Sequence, residues 1–228
     1  MEYYILHPYD KECVATVLSS ENNIIEIDNN IFYPNSGGQL NDLGKIDDAN
    51  VVEVKKESGK IKIKVDKHIS AGKRVHCIID WERRYRLMRM HTASHLLSQI
   101  LNVEKGALIT GNQLGLEKSR IDFNVEKFDR AMFQELESKA NEMIRKNIPV
   151  ESYIVDRAEI ERNPRLVKLA KGLPDFIKEV RIVDIKDFDA QACGGTHVKN
   201  LGEIKGIKII DMENKGRGNR RIYFSLVD

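Results

Sequence analysis

The sequence is poor in several features that would assign it to a specialised class of protein. Only three of its 228 residues are cysteines, too few and too scattered for a disulfide framework, which favours a reducing compartment. No apolar run approaches the roughly 20 residues that a membrane helix needs, and no secretory leader opens the chain. The formal net charge of +2 is too small to indicate a nucleic-acid partner by itself. These absences predict a cytoplasmic globular protein without a membrane partner.

The first part of the chain has the pattern of a small β-barrel. Short runs rich in branched residues alternate with turn-forming residues, and Ile61, Ile63 and Val65 alternate with lysines as in a half-buried strand. Several short strands with this spacing favour a barrel. The predicted strands are Cys13–Leu18, Ile24–Asp28, Val51–Val54, Ile61–Val65 and Val75–Asp80.

The second part of the chain mixes helices with strands. Glu82–Leu101 contains neither glycine nor proline and has helical periodicity, and Glu126–Asn147 predicts a second helix that ends before Pro149. The predicted strands are Ser119–Phe123, Glu179–Ile185, Ile204–Met212 and Arg221–Val227, the last two joined by a hairpin turn at Asn214–Asn219. The expected fold class is therefore α+β, with a β-barrel domain at residues 1–85 and an α/β two-layer sandwich at residues 86–228.

His91 and His95 form the first candidate site. On a helix, residues four apart share one face with Cβ atoms about 5–6 Å apart, so two imidazoles can converge on one zinc ion. Taken alone, such a pair is more often a packing or surface feature. Thr92 follows His91 where a zinc protease would have glutamate, so the protease motif is excluded.

Cys193 and His197 form the second candidate site, again four residues apart but on a glycine-rich segment. An isolated cysteine is more often inert and buried, which is our interpretation of Cys13 and Cys77. The two candidate sites together offer three imidazoles and one thiolate, a set that zinc favours. We therefore predict one Zn²⁺ per chain, bound by His91, His95, Cys193 and His197.

Three further segments have weaker signals. Phe32–Gln39 contains Gly37 and Gly38, whose backbones can take positive φ or approach a ligand, although composition alone favours an ordinary turn between barrel strands. Two basic clusters could hold phosphates, although most such clusters are solvated surfaces. The first cluster is Arg83, Arg84, Arg86 and Arg89, and the second is Lys215, Arg217, Arg220 and Arg221.

These motifs together resemble the editing domain of alanyl-tRNA synthetase. The zinc motifs of that domain are similar to His91–His95 and Cys193–Val198, and its glycine motif is similar to Phe32–Gln39 with Asp42 and Gly44. The resemblance covers nearly the whole chain, and no segment resembles an aminoacylation domain. The chain therefore looks like a free-standing AlaX protein of the medium type. Further matching segments are Arg120–Phe123, Gly202–Ile204 and Lys215–Ile222.

The resemblance implies trans-editing, which is hydrolysis of the ester that joins a wrong amino acid to tRNA(Ala). The resemblance implies serine as the usual wrong amino acid and glycine as a second possibility. Editing is needed because a pocket shaped for alanine rejects such analogues by only about 10–200-fold. The implied substrate-binding residues are Asn30, Gly37, Gly38, Gln39 and Ser94, where Asn30 replaces the family's usual threonine. The implied catalytic residues are Gly194, Gly195 and Thr196, and the implied RNA-binding residues are Arg217, Arg220 and Arg221.

Two other functions remain open at this point. The chain could be a non-catalytic tRNA-binding protein whose zinc only stabilises the fold, since four protein ligands are typical of structural zinc. A metal-dependent hydrolase of small esters is a weaker alternative, because it would not account for the barrel and hairpin motifs. Neither motif has an adjacent acidic residue as an obvious general base. No nucleotide cofactor is expected, and a monomer is favoured.

Overall fold

The structure is a computed structural model of the chain, and it describes residues 2–126, 130–174 and 176–228. The chain divides into two compact units, Met1–Leu87 and Met88–Asp228, and the division falls inside helix α2 (Trp81–Lys105). The architecture is α+β, as predicted, with a closed barrel in the first unit and helices with two sheets in the second. No helix in the described ranges has the length and apolar character that crossing a membrane requires.

The first unit begins with a short helix, α1 (Tyr3–Leu6), and continues as six antiparallel strands. The strands are β1 (Glu12–Glu21), β2 (Ile24–Ile27), β3 (Gly44–Ile46), β4 (Ala49–Glu57), β5 (Lys60–Val65) and β6 (Arg74–Ile79). They close into a barrel in the order β1-β2-β5-β4-β3-β6. Ile63 and Val65 are buried in its core while Lys64 between them is exposed, so the predicted alternation is confirmed for these three residues, whereas Ile61 and Lys62 are both half-buried. All five predicted barrel strands are present.

The sixth barrel strand, β3, was not predicted because three residues are too few to show a period. Its first residue, Gly44, has φ of +153° and passes close to the neighbouring strand β6. A Cβ atom at this position would lie 2.1 Å from the backbone oxygen of Ile78. Glycine is therefore required here by close approach of two backbones, which gives a structural reason for one residue of the glycine motif.

Helix α2 begins and ends with conventional capping groups. The side chain of Asp80 accepts a hydrogen bond from the backbone N–H of Arg83 at 3.1 Å, which satisfies a free donor at the helix start. Gly106, with φ of +64°, follows the last turn. The helix is four residues longer at its end than the predicted Glu82–Leu101 and begins one residue earlier.

The second unit contains two antiparallel sheets. The strands of the three-stranded sheet are β9 (Val150–Asp156), β10 (Glu179–Ile185) and β11 (Asp189–Ala192), in the order β11-β10-β9. The strands of the four-stranded sheet are β7 (Ile109–Gln113), β8 (Ser119–Phe123), β12 (Ile207–Asn214) and β13 (Arg220–Leu226), in the order β12-β13-β8-β7. The helices are α3 (Arg130–Arg145) and α4 (Arg157–Arg162), with 3-10 turns at Pro164–Leu166 and Leu201–Ile204.

The predicted elements of the second unit are present with small shifts. Strands β8 and β10 have the predicted limits, whereas β12 starts three residues late because Leu201–Ile204 forms a 3-10 turn capped by Asn200. Helix α3 is shorter than the predicted Glu126–Asn147, because Glu126 lies before the helix and residues 146–147 form a turn after it; residues 127–129 lie outside the described ranges. Strand β9 was not predicted because most of its residues are exposed and do not alternate in polarity.

Candidate metal centre

Two pairs of residues from distant parts of the chain form the candidate metal centre. His91 and His95 lie one turn apart on α2. Cys193 and His197 lie on the loop after β11, and the backbone N–H of Cys193 donates to the oxygen of Arg181 at 3.0 Å, which continues the strand pairing up to the thiol. A helix and a strand end therefore position the donors, so the structure brings together all four predicted ligands.

The four donor atoms have the spacing of a compact metal site. They all lie within 4.8 Å of one another. The sulfur of Cys193 lies 3.4 Å from Nε2 of His91 and 3.3 Å from Nε2 of His197. Ligand atoms around a tetrahedral zinc ion are about 3.3–3.6 Å apart, given Zn–N of about 2.0–2.1 Å and Zn–S of about 2.3 Å. The donor set and these two sulfur–nitrogen distances therefore fit zinc.

Burial keeps the three imidazoles in the neutral form that binds metals. It lowers the pKa of His91 to about 3, with a smaller contribution from the charge of Arg181. Burial also lowers the pKa of His95 and His197 well below the usual histidine range. It raises the pKa of the Cys193 thiol, which the Gly195 N–H and Arg181 oppose. The histidines are thus ready to bind, whereas the thiol loses its proton when a metal ion arrives.

Thr92 fixes the orientation of His197. Its hydroxyl donates to the carbonyl oxygen of Met88 at 3.0 Å and accepts from the backbone N–H of Val198 at 3.2 Å. Nδ1 of His197 lies 3.1 Å from the same hydroxyl oxygen. Because the single hydroxyl proton is already donated to Met88, Nδ1 must carry the proton of the imidazole. Nε2 is then the lone-pair atom that faces Cys193.

Arg181 and Gly195 shape the loop around the thiol. Nη1 of Arg181 donates to the backbone oxygens of Cys193 and Gly195 at 3.1 and 2.8 Å. The N–H of Gly195 donates to the Cys193 sulfur at 3.3 Å, so this predicted oxyanion donor is occupied by the thiol. Gly194 is an exposed residue, and its N–H makes no hydrogen bond within the described ranges. Thr196, the third predicted catalytic residue, is fully buried.

Ser94, a predicted substrate-binding residue, is buried within α2. Its hydroxyl donates to the carbonyl oxygen of His91 at 2.8 Å. The next hydroxyl on this helix, that of Ser98, donates in turn to the carbonyl oxygen of Ser94 at 2.6 Å. The hydroxyl proton of Ser94 is therefore already donated to the backbone of His91, a predicted ligand.

The glycine motif forms a tight turn in the first unit. Gly37 and Gly38 both have positive φ, +57° and +84°, between Ser36 and Gln39, whose backbones exchange hydrogen bonds of 3.2 and 2.9 Å. Positive φ at both central residues is the reason for two consecutive glycines. Gln39 is completely buried. These residues form the turn that was the simpler interpretation of the segment, and whether they bind substrate stays a prediction.

Asn30 makes local hydrogen bonds with both ends of its amide. Its Nδ2 donates to the carbonyl oxygen of Phe32 at 2.8 Å, and its Oδ1 accepts from the N–H of the same residue at 3.0 Å. The side chain is buried, with 8% of its surface exposed. An amide has two donors and two acceptor lone pairs, so one of each is left after these bonds.

A buried ion pair between Asp42 and Arg84 supports the segment that carries the glycine motif. Both residues are fully buried, and Nε of Arg84 lies 2.9 and 3.0 Å from the two carboxylate oxygens of Asp42. Arg84 also donates to the carbonyl oxygens of Pro8 and Ile31, while Asp42 accepts from the N–H of Tyr33 at 2.6 Å. The pair therefore ties the start of α2 to the segment that carries the glycines.

Two arginines of the first basic cluster, Arg84 and Arg89, are not available to bind phosphate. Arg84 is buried in the pair with Asp42. Arg89 is also buried and donates to Asp228 at 2.6 Å and to the carbonyl oxygen of Ile204 at 2.9 Å. The suggested phosphate role is therefore wrong for these two residues, because buried guanidinium groups bound to protein acceptors cannot reach a phosphate.

The three predicted RNA-binding arginines have different surroundings on the β12–β13 hairpin. Arg217 is exposed in the turn. Arg220 donates to the side chain of Asn214 and to backbone oxygens of the turn, so it stabilises the hairpin. Arg221 makes two hydrogen bonds of 2.7 and 2.9 Å with the carboxylate of Asp122. Of the three, Arg217 is the most accessible to a phosphate.

Sequence reasoning missed the residues that support the ligands. Thr92 was noted only because it is not glutamate, and its spacing of four from Met88 on a helix was the available signal. The buried contact between Lys168 and Asp189 joins residues with no recognisable motif. No spacing rule could have found that contact, because it depends on the packing of two segments that are not local to each other.

The chain is similar to several known proteins. Residues 180–223 match the family described as the Threonyl and Alanyl tRNA synthetase second additional domain. The chain is 50% identical to the "Alanyl-tRNA editing protein AlaX-M" of Methanosarcina barkeri, over 99% of this chain and 98% of that protein. The protein of the same name from Saccharolobus solfataricus is 41% identical over the same shares. The "Alanine--tRNA ligase" of Ignicoccus hospitalis is 37% identical over 95% of this chain, which covers 25% of the ligase.

Proposed function

The chain belongs to the AlaX-M family of alanyl-tRNA editing proteins, and on this basis we propose that it is a trans-editing aminoacyl-tRNA deacylase. Its proposed substrates are tRNA(Ala) molecules mischarged with serine, chiefly, or with glycine. Water cleaves the ester and releases the free amino acid and the 3′-terminal hydroxyl of the tRNA. We also propose that the protein acts as a cytoplasmic monomer, with a barrel domain at residues 1–85 and an editing domain at 86–228.

One observation carries this proposal. The buried group of His91, His95, Cys193 and His197 has donor atoms within 4.8 Å of one another, in a chain that matches editing proteins over 99% of its length. Three neutral imidazoles and a thiol favour zinc over magnesium or calcium, which prefer oxygen ligands. We therefore propose one zinc ion per chain as the cofactor.

The four residues would hold zinc, and the ion would supply Lewis-acid polarisation of a substrate group or of water. Four protein donors form a closed set, so the substrate gains access only where one donor yields. The hydrogen bond from Nδ1 of His197 to the Thr92 hydroxyl argues against His197 as the ligand that yields. Cys193 is the most exposed member of the group, and its side of the group is the proposed approach for the ester.

Gly194 is the proposed oxyanion donor. When water attacks the ester carbonyl, negative charge develops on its oxygen, and a preorganised backbone N–H stabilises that charge. Gly194 is an exposed residue whose N–H makes no hydrogen bond within the described ranges, whereas the N–H of Gly195 already donates to the thiol. Gly195 and Thr196 then act by holding the loop in this conformation.

Recognition of the amino acid and of the RNA is assigned to further residues. We propose that Asn30 uses its remaining donor and acceptor for the seryl hydroxyl. Phosphate contacts are assigned chiefly to Arg217, which is exposed. The other proposed substrate-binding residues are Gly37, Gly38, Gln39 and Ser94, and the other proposed RNA-binding residues are Arg220 and Arg221.

Deacylation of three charged tRNAs tests the function. Ser-tRNA(Ala), Gly-tRNA(Ala) and Ala-tRNA(Ala) are each incubated with the protein, with and without a zinc chelator. We expect rapid, chelator-sensitive loss of the seryl ester, slower loss of the glycyl ester and survival of the alanyl ester. Retardation of tRNA in a gel without hydrolysis of any ester would support the non-catalytic binding protein instead.

Substitution of one cysteine separates the metal group from general effects. Cys193→Ala removes the thiol from the group and is expected to abolish deacylation and to reduce the zinc content. Cys13→Ala is the matched control, because Cys13 is also a partly buried free thiol but belongs to the barrel. Full activity of Cys193→Ala would exclude a role for the metal group in the reaction.

A further inference from the structure

A cluster of buried polar side chains lies beside His95. Asp189, at the start of β11, has a fully buried side chain, and its Oδ1 contacts Nζ of Lys168. Its Oδ2 accepts a hydrogen bond from Nε2 of Gln191 at 2.8 Å. Lys168 is itself 6% exposed and donates to Oε1 of Gln99 on α2. Charged groups are rarely this deeply buried, so the cluster calls for an explanation.

His95 presents one ring nitrogen to this cluster. Nδ1 of His95 lies 4.0 Å from Oδ2 of Asp189. Within the described ranges this buried nitrogen has no hydrogen-bond partner. Buried ring nitrogens in native proteins nearly always find a partner, and the carboxylate oxygen has capacity for a second donor. The other ring nitrogen, Nε2, is then the atom that His95 offers to the metal group.

The local structure explains why these residues meet. Side chains two apart on a strand point to the same face, so Asp189 and Gln191 share a face with Cys193 just beyond the strand end. On α2, Gln99 lies four residues after His95 and therefore on the same side of the helix. The intervening Ala190 and Ala192 pack on the opposite side, against the cluster that contains Ile182. The side chains of Asp189, Gln191 and Cys193 therefore all face α2.

We propose that Asp189 is a positioning residue for His95. Its carboxylate accepts a hydrogen bond from the Nδ1–H of the imidazole, which selects the tautomer that offers Nε2 to the metal and fixes the angle of the ring. Lys168 and Gln191 hold the carboxylate in place. Histidine ligands in metal sites commonly donate their second N–H to such a carboxylate. This inference rests on the proposed zinc site and extends it to residues outside the four ligands.

Thr92 supplies an internal parallel. It binds Nδ1 of His197 at 3.1 Å, as Asp189 is proposed to bind Nδ1 of His95. The two ligands are thus oriented by different groups, a neutral hydroxyl for one and a carboxylate for the other. An imidazole whose Nδ1–H is bonded to a carboxylate is a stronger metal ligand through Nε2 than one bonded to a hydroxyl. The negative charge of the carboxylate raises the basicity of the ring.

The competing explanation is that Asp189 is only a counter-ion for the buried Lys168. Both explanations predict that a single Asp189→Asn substitution disturbs the protein, because it leaves the lysine without its carboxylate. They differ for a double variant, Lys168→Met/Asp189→Leu, which replaces both charged groups with apolar ones. Buried ion pairs often tolerate such exchange without loss of stability. Only the positioning role predicts that this folded variant still binds metal poorly.

The experiment measures zinc affinity by competition with a chelator, without tRNA. We expect Asp189→Asn and the double variant to bind zinc about 10–100-fold more weakly than the unmodified protein. The matched control is Asp122→Asn, which changes a buried carboxylate on β8 that bonds Arg221 and Arg120. This control is expected to retain the zinc affinity of the unmodified protein.

Cobalt substitution gives a second readout that a loss of fold would not mimic. The visible absorption of protein-bound Co²⁺ depends on ligand geometry, so the double variant should show shifted bands at saturating cobalt. Unchanged zinc affinity and an unchanged cobalt spectrum in the double variant would overturn the proposal and leave Asp189 as a counter-ion. If the unmodified protein bound neither ion, the proposed metal site itself would fail, which is a different result.

Discussion

Both units of this protein bury a carboxylate against a cation, but the two carboxylates are used differently. In the barrel, the oxygens of Asp42 accept from Arg84 and from the N–H of Tyr33. In the second unit, Asp189 has one oxygen on Lys168, and the other, already bonded to Gln191, also faces Nδ1 of His95. The first carboxylate serves only framework atoms, whereas the second faces a predicted metal ligand.

This difference shows that burial of an ion pair does not by itself reveal its role. Buried pairs are poor evidence for net stabilisation, because desolvation opposes the attraction between the charges. The two buried pairs differ in the groups that the carboxylate oxygens contact besides the cation. Substitution in the barrel pair should therefore change stability without changing metal affinity, and substitution near the metal group should change metal affinity more than stability.

The largest effect is expected for Arg84→Met. Removal of the guanidinium leaves the Asp42 carboxylate buried without its cation and frees the carbonyl oxygens of Pro8 and Ile31, so unfolding should become easier by about 3–5 kcal/mol. Urea denaturation followed by circular dichroism measures this change. Lys67→Met, which breaks an exposed pair with Asp48, is the control and should leave the midpoint nearly unchanged. An unaltered midpoint in Arg84→Met would contradict the framework role.

The next effect is expected for Thr92→Val, which keeps the shape of the side chain but removes its hydroxyl. His197 then loses the partner of Nδ1, and zinc affinity should fall about tenfold or more. Competition with a chelator measures the zinc affinity. Thr110→Val, which loses an exposed hydroxyl bonded to Asn219, should retain its zinc affinity. If Thr92→Val bound zinc as tightly as the unmodified protein, Thr92 would not be a residue that orients a ligand.

A smaller, pH-dependent effect is expected from a third carboxylate, Asp122. Burial raises its pKa, but the hydrogen bonds and charges of Arg221 and Arg120 outweigh burial and hold the pKa below the usual range. The unfolded chain therefore binds this proton first as the pH falls. The stabilising contribution is complete above the unfolded pKa of about 3.9 and is lost as the pH falls through the folded value.

Unfolding measured across the acid range checks that sign. The free energy of unfolding should decrease below about pH 4, and Arg221→Met should make the decrease shallower because it removes the main partner of Asp122. The same slope in both proteins would show that other carboxylates dominate acid unfolding. A shallower slope would place Asp122 with Asp42 among the framework carboxylates.

The smallest effect is expected for Arg217→Ala in the hairpin turn. Loss of one phosphate contact should weaken tRNA binding uniformly and reduce the slope of log affinity against log salt by about 1, without a change in stability. Filter binding over a salt series measures the slope. Arg165→Ala removes an exposed arginine outside the hairpin and is the control. Equal slopes in both variants would remove Arg217 from the proposed RNA-binding residues.

The sequence predicted the parts of this molecule that depend on local periodicity. Alternation located five of the six barrel strands, and residue spacing located all four members of the metal group. Strand β3 has too few residues for a period, and the exposed β9 has no alternation to detect. Strands β7 and β11 were also not predicted, although β11 alternates between buried and half-buried residues, so local pattern did not locate every alternating strand.

The contacts that depend on distant segments were not predictable in the same way. Arg84 belongs to a run of arginines whose composition indicates a solvated or phosphate-binding surface, and only the fold brings it to Asp42. The contact of Lys168 with Asp189 likewise forms because a loop meets the start of β11. Resemblance to a family supplied the proposed activity, since the residues alone left a zinc-stabilised RNA-binding protein as an open alternative.

The two halves of the metal group are separated by about a hundred residues of chain, with His95 on α2 and Cys193 after β11. An ion held by all four residues would thus close a long loop and act as a reversible cross-link, and long loops lose the most entropy on closure. During synthesis the histidines of α2 leave the ribosome long before their partners exist. The centre can be assembled only once Cys193 and His197 have been made, so a chain truncated before β11 would carry half a centre and could not be loaded.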